Sequence, residues 1–267
     1  MSSGDHDHFP NGLQALLLVL ALFVAELFFG ALLHDAQDLL QLSPGGLGAL
    51  DVLLANALVF SAVMHIKRMT YAELFHASGA SRRATLLLLL PPILLLIPSL
   101  VLVVSALVDA LVEVVPLSNS EQAMFSSMAA HTLPSVLVTC VLAPVVEEML
   151  FRGVVLRGFL QRYARWEAIL LSAILFGFAH LNLYQFVAAF ILGVIAGWLY
   201  ERSRSLIPCI GLHAAYNSAL VVLEWTQSPG DGSPQAGSSP LLNWLLALAA
   251  AAIGAQMLRR TLLGRRA

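Results

Sequence analysis

Long apolar runs separated by short polar connections dominate the chain: about 12–33, 46–65, 84–111, 131–151, 167–182, 185–201, 206–225 and 240–258. Most approach the roughly 20 residues an α-helix needs to cross a hydrocarbon core of about 30 Å, where backbone amides must pair within the helix. The pattern predicts an all-α fold, a polytopic membrane helical bundle of about eight transmembrane helices. The third run has no charge between Ala84 and Val108, and Pro91, Pro92 and Pro98 predict kinks in it. The fifth is short, since Trp166 to His180 covers only about 21 Å. Either that hairpin stops below the far surface, or the fourth run continues past Arg152 as a long or surface-lying helix. The first run is not expected to be a cleaved signal, because Met1–Asn11 has no Lys or Arg and no small-residue cleavage pattern follows.

The distribution of basic residues orients these spans. Lys67, Arg68, Arg82 and Arg83 follow the second run, and Arg152, Arg157, Arg162 and Arg165 lie at or after the end of the fourth. Arg202 and Arg204 follow the sixth, and Arg259, Arg260, Arg265 and Arg266 form the tail. These are all 14 Lys and Arg residues, while 34–45, 112–130, 183–184 and 226–239 contain none. The alternation predicts both termini on the cytoplasmic side of a membrane, the inner membrane being the expected one. Seven or nine spans would put a basic cluster on the wrong side.

Composition agrees. Of 267 residues, 59% are hydrophobic and 11% charged, with a mean hydropathy of +0.83, so lipid is the expected solvent for most of the chain. The formal charge of −2 argues against a nucleic-acid partner. Cys140 and Cys209 both fall in apolar runs and indicate no disulfide framework. Asp5-His6-Asp7-His8 reads as a mobile polar terminus rather than a metal site. The expected organisation is N-terminal spans over 1–129, a core over 130–226, and a polar loop, last span and basic tail over 227–267.

Ionisable groups inside a span cost about 2.5–3.5 kcal/mol each on insertion scales, so each needs a reason. Glu147 and Glu148 close the fourth run, and Glu148 lies four residues before Arg152, a spacing that favours an ion pair. A structural clasp of that kind uses one glutamate. Glu147 projects about 100° away and is not neutralised by the arginine. His180 ends the run Phe176-Gly177-Phe178-Ala179, and His213 and Asn217 share a face one helical turn apart. Gly177, Gly193, Gly197 and Gly211 permit close helix approach.

This set suits amide hydrolysis. Glu147 and His180 can hold and deprotonate a water, while His213 and Asn217 supply donors for the oxyanion formed at a peptide carbonyl. Glu147, His180 and His213 also form the ligand set of a catalytic zinc, so the cofactor is either none or Zn. No His-Glu-x-x-His, no Gly-x-Ser-x-Gly and no intramembrane Gly-Asp pair occurs; Gly230-Asp231 lies in a polar loop. A proton-linked transporter or a membrane scaffold would be the non-enzymatic readings. Glu26, in the first run, fits a substrate path or a helix contact, and Asp51, Asp109 and Glu224 sit near span ends.

Taken in order, Glu147-Glu148-x-x-x-Arg152, Phe176-x-x-x-His180 and His213-x-x-x-Asn217 resemble the CPBP family of intramembrane proteases. That group includes the type II CAAX prenyl endopeptidases and bacteriocin-processing or immunity proteins. The resemblance covers roughly residues 130–225 and implies an eight-helix endopeptidase acting on membrane-associated peptides or proteins. It implies that Glu147 and His180 activate water, that His213 and Asn217 form the oxyanion hole, and that Glu148, Arg152 and Phe176 support them. Members are described both as metalloproteases and as metal-independent glutamate proteases, so the resemblance leaves the zinc question open.

Overall fold

A computed structural model describes residues 9–128, 132–227 and 239–264. The DHDH segment, His131, Gly230-Asp231 and its loop, and Arg265 and Arg266 lie outside the described residues. Nine helices of ten or more residues organise the described chain: α1 (Gly12–Asp35), α2 (Pro44–Lys67), α3 (Arg82–Val114), α4 (Asn119–Met128), α5 (Leu133–Phe159), α6 (Arg165–Phe178), α7 (Leu183–Ser203), α8 (Ile207–Gln227) and α9 (Pro240–Leu263). No β-strand occurs among the described residues. Seven of these helices are long and apolar enough to span a bilayer; α4 and α6 are not among them. The chain is an integral membrane protein. Outward-facing Leu13, Leu27, Phe28, Leu87 and Leu246 are more than half exposed, as lipid contact requires.

Polar residues at the edges of the apolar runs set where the helices start. Asn11, Ser43, Ser81, Thr132, Asn182 and Ser239 each turn a side-chain oxygen onto an otherwise unpaired first-turn N–H. These donors have no intrahelical carbonyl to pair with, and the cap oxygen takes its place. α3 runs on through Pro91, Pro92 and Pro98 as a single 33-residue helix.

The fifth apolar run is a half-length element. α6 has 14 residues, about 21 Å of helix, and packs antiparallel on α7 as a hairpin. Small residues let the two backbones close up: a methyl group at Gly193 would stand 2.9 Å from Ala173 Cβ. The hairpin leaves and returns at the same end of the bundle, where Arg165 pairs with Glu201 at 3.3 Å.

The fourth run continues past Arg152, one of the two courses that the sequence leaves open: α5 runs to Phe159, and Arg152 lies inside it with no exposed surface. Arg152 therefore does not mark a membrane face, because its charge is spent on Glu148. The three other arginines of that group are at or beyond the end of the helix. Arg157 donates to the carbonyl of Glu73 at 3.2 Å, and Thr70's backbone N–H and hydroxyl hold the Glu73 carboxyl below the usual carboxylate range.

Two connectors at this end are stitched together. Ala77 N–H donates to Arg204 O at 3.0 Å and Leu206 N–H to Phe75 O at 2.9 Å, with His76 Nδ1 2.9 Å from Ser205 Oγ. The bridge joins the α2–α3 connection to the α7–α8 connection.

α9 leans against α3 on the periphery. At their crossing a methyl group on Gly254 would stand 2.5 Å from the Pro92 carbonyl oxygen. Gly254→Leu should therefore push α9 outward and lower stability by about 1–3 kcal/mol, the usual range for overpacking. Denaturant unfolding in micelles reads the loss.

Candidate active site

α5 carries the first motif, and its backbone is unusual there. It widens to π-helical turns over Val138–Leu142 and Met149–Leu156, with an α-helical segment, Ala143–Glu148, between them. Pro144 has no N–H to offer the carbonyl of Cys140 four residues earlier, and the first widening coincides with that gap. Glu147 and Glu148 close the segment between the two widened stretches.

The two glutamates have different surroundings. Glu148 is 1% exposed and its Oε1 accepts from Arg152 Nη1 at 2.9 Å. The same oxygen lies 3.0 Å from His213 Nδ1; a carboxylate oxygen held by an arginine accepts, so the imidazole proton sits on Nδ1. His213 Nε2 then points to the other glutamate, 3.8 Å from Glu147 Oε2. His213 bridges the pair. Glu147 remains 29% exposed, with an Oε2 that is buried and has no protein hydrogen-bond partner.

Phe176 packs this network into place. It is 1% exposed, with the Arg152 guanidinium 4.5 Å above its ring. Its edges meet His180 at 5.2 Å and His213 at 5.7 Å. Ser172, one turn earlier on α6, donates to the Phe151 carbonyl at 3.0 Å and fixes α6 to α5. His180 Nδ1 donates to the Phe176 carbonyl at 3.0 Å. A carbonyl only accepts, so in the neutral ring Nε2 is the free acceptor.

Asn217 donates to the Thr139 carbonyl at 2.9 Å, within the first widened stretch of α5. That bond spends one of two amide hydrogens and fixes α8 against α5. Glu147, His180, His213 and Asn217, the four candidate residues, all line one cavity of about 610 Å³. Its remaining wall is largely apolar, with Val104, Val108, Leu192 and Leu220, and it reaches Asp109 and Glu224. Glu148 and Arg152 stand behind the wall. Neither acid at the far end was singled out by the sequence motifs, because each sits at an ordinary span edge.

The four residues do not form an evident zinc site. Among the described residues no three His, Cys, Asp or Glu side chains converge at a spacing that holds a metal ion, so Glu147, His180 and His213 do not fit one as placed. His213 Nε2 stands 3.8 Å from Glu147 Oε2, farther than the about 3.3 Å between neighbouring ligands on a tetrahedral zinc with bonds near 2.0 Å, while its Nδ1 bond to Glu148 suits either role.

The family comparison matches this part of the chain. Residues 129–219 match the Rce1-like family, type II CAAX prenyl endopeptidases. The matched segment spans α5 to most of α8 and contains Glu147, His180, His213 and Asn217, so the resemblance carried by the three motifs is borne out. Two curated proteins are similar. One, "Putative membrane peptidase YdiL" of Bacillus subtilis (strain 168), is 24% identical over 107 residues, which is 40% of this chain and 43% of that protein. The other, "Uncharacterized 24.3 kDa protein" of Escherichia coli, is 34% identical over 103 residues, 35% of this chain and 48% of that protein. The match thus spans a little under half the length of each relative. No solved structure matches the chain at a comparable level.

Proposed function

We propose that the chain is an integral membrane endopeptidase that hydrolyses a peptide bond in a membrane-associated peptide or protein, in the manner of the Rce1-like family. The observation that carries this reading is the convergence of Glu147, His180, His213 and Asn217 on one largely apolar cavity. A largely apolar wall with a few polar groups suits a substrate delivered from the bilayer.

The residues divide the chemistry as follows. His180 Nε2 accepts a hydrogen bond from a water, and the Glu147 carboxylate takes that water's proton as its oxygen attacks the carbonyl carbon. The resulting oxyanion meets the second Asn217 amide hydrogen and, when His213 is protonated on both nitrogens, its Nε2–H. Glu147 then returns the proton to the amide nitrogen as the C–N bond breaks, leaving a carboxylic acid and an amine, which part as carboxylate and ammonium once the acid's proton passes to the amine. Glu148 and Arg152 position His213, and Phe176 holds both histidine rings. The bundle sits in the cell membrane with both termini cytoplasmic.

The test is cleavage of a quenched fluorescent peptide by purified protein in micelles. His180→Ala should cut the rate by at least about 10²-fold, the low end of general-base effects, and chelators should leave the parent rate intact. Equal cleavage by parent and variant would refute the assignment. Gradient-dependent solute uptake without peptide cleavage would favour a transporter instead.

A further inference from the structure

A second, smaller cavity of about 170 Å³ lies between α1, α2, α5 and α6. It shares Ala143, Glu147, Phe176 and His180 with the larger one, so the same four residues form the partition between the two spaces. Its far wall includes Glu26 on α1 and Asn56 on α2. Asn56 is 4% exposed and gives one amide hydrogen to its own helix, at Val52 O, at 2.9 Å. Its carbonyl oxygen and second hydrogen are left for other partners. Gly30 lies one helical turn beyond Glu26, and a methyl group there would stand 3.5 Å from Asp51 Oδ2, whose Oδ1 is buried without a protein hydrogen-bond partner. Asp51, Glu26, Asn56 and Glu147 thus follow one another from the Asp35 end of α1 inward.

Hydrolysis in this fold faces a supply problem. An apolar peptide filling the large cavity would seal Glu147 and His180 from the water they must activate. The small cavity has room for several waters and too little for a peptide, and its polar side chains would be costly against lipid. We infer that the small cavity is the water port of the site: the nucleophilic water enters between α1 and α2, past Asp51, Glu26 and Asn56, behind the bound peptide. This rests on the peptidase reading for its purpose, though not for its hydration. It gives Glu26 a role that the three motifs do not contain.

Thiol labelling of the full chain in lipid nanodiscs tests it. Val52 lines the port, whereas the neighbouring Leu53 is 49% exposed on the outer face. Both native cysteines are buried, so the parent protein sets the background. With a charged methanethiosulfonate, Val52→Cys should react at least about tenfold faster than Leu53→Cys, because thiols react as solvated thiolates. A bulky adduct at Val52→Cys should then lower kcat about tenfold and leave KM within about twofold, the signature of a lost step rather than lost peptide binding. Adduct formation follows folding, so misfolding does not confound the readout. Equal labelling at the two positions would overturn the port, and so would a raised KM with kcat intact. Absence of cleavage by unmodified protein would sink only the peptidase reading, and the labelling ratio would still decide hydration.

Discussion

Glu147→Gln should fold as the parent does and cleave peptide at least about 10²-fold more slowly, with the loss in kcat. The substitution keeps the size of the side chain and removes its ability to take a proton. It should cost little stability, because Glu147 is part-exposed and its buried Oε2 has no protein hydrogen-bond partner to lose. Glu148→Gln is the informative contrast. That position holds both Arg152 and His213 on one oxygen, so neutralising it should lower the thermal midpoint as well as the rate. Paired melting curves and cleavage rates separate the two glutamates. An active Glu147→Gln protein would remove the base from the proposed chemistry.

Arg152→Ala should destabilise the bundle by about 3–5 kcal/mol, the cost of leaving one partner of a buried ion pair alone. No part of the arginine is exposed. Its loss leaves the Glu148 carboxylate without its countercharge, held by the His213 bond, and opens a void over the Phe176 ring. Replacing both partners, as Arg152→Met with Glu148→Gln, should recover much of that loss, since no charge is then left buried and the stem volume is kept. Unfolding by denaturant in micelles measures both. A fully stable Arg152→Ala protein would mean that the pair is solvated.

Most of the bundle was legible because apolar length is a local signal: the runs 12–33, 46–65 and 240–258 fall inside helices Gly12–Asp35, Pro44–Lys67 and Pro240–Leu263. The Glu148–Arg152 pair followed from spacing alone. What the pattern hid depends on backbone geometry. Two widened stretches in α5 leave no compositional mark beyond Pro144, and Arg152 reads like a membrane-edge residue until its partners are known. The bridging position of His213 was equally hidden, since spacing to Asn217 says nothing about Glu148 on another helix. Asn217 was expected only as an oxyanion donor, yet it also ties α8 to Thr139. Glu26 and Asn56 lie in different apolar runs, and nothing in either run relates them to Glu147.

The bridge between His76 and Ser205 links positions 129 residues apart, which bears on how the chain is assembled during synthesis. Until Ser205 has left the ribosome, the segment after α2 has no companion for the backbone groups of Phe75 and Ala77. The first three spans therefore wait, with an open edge at the membrane surface, for α7 to be inserted and turned. Closing that stitch fastens the early helices to the late ones, and the larger cavity, lined from Val104 to Glu224, is complete only once α8 has joined α3 and α5.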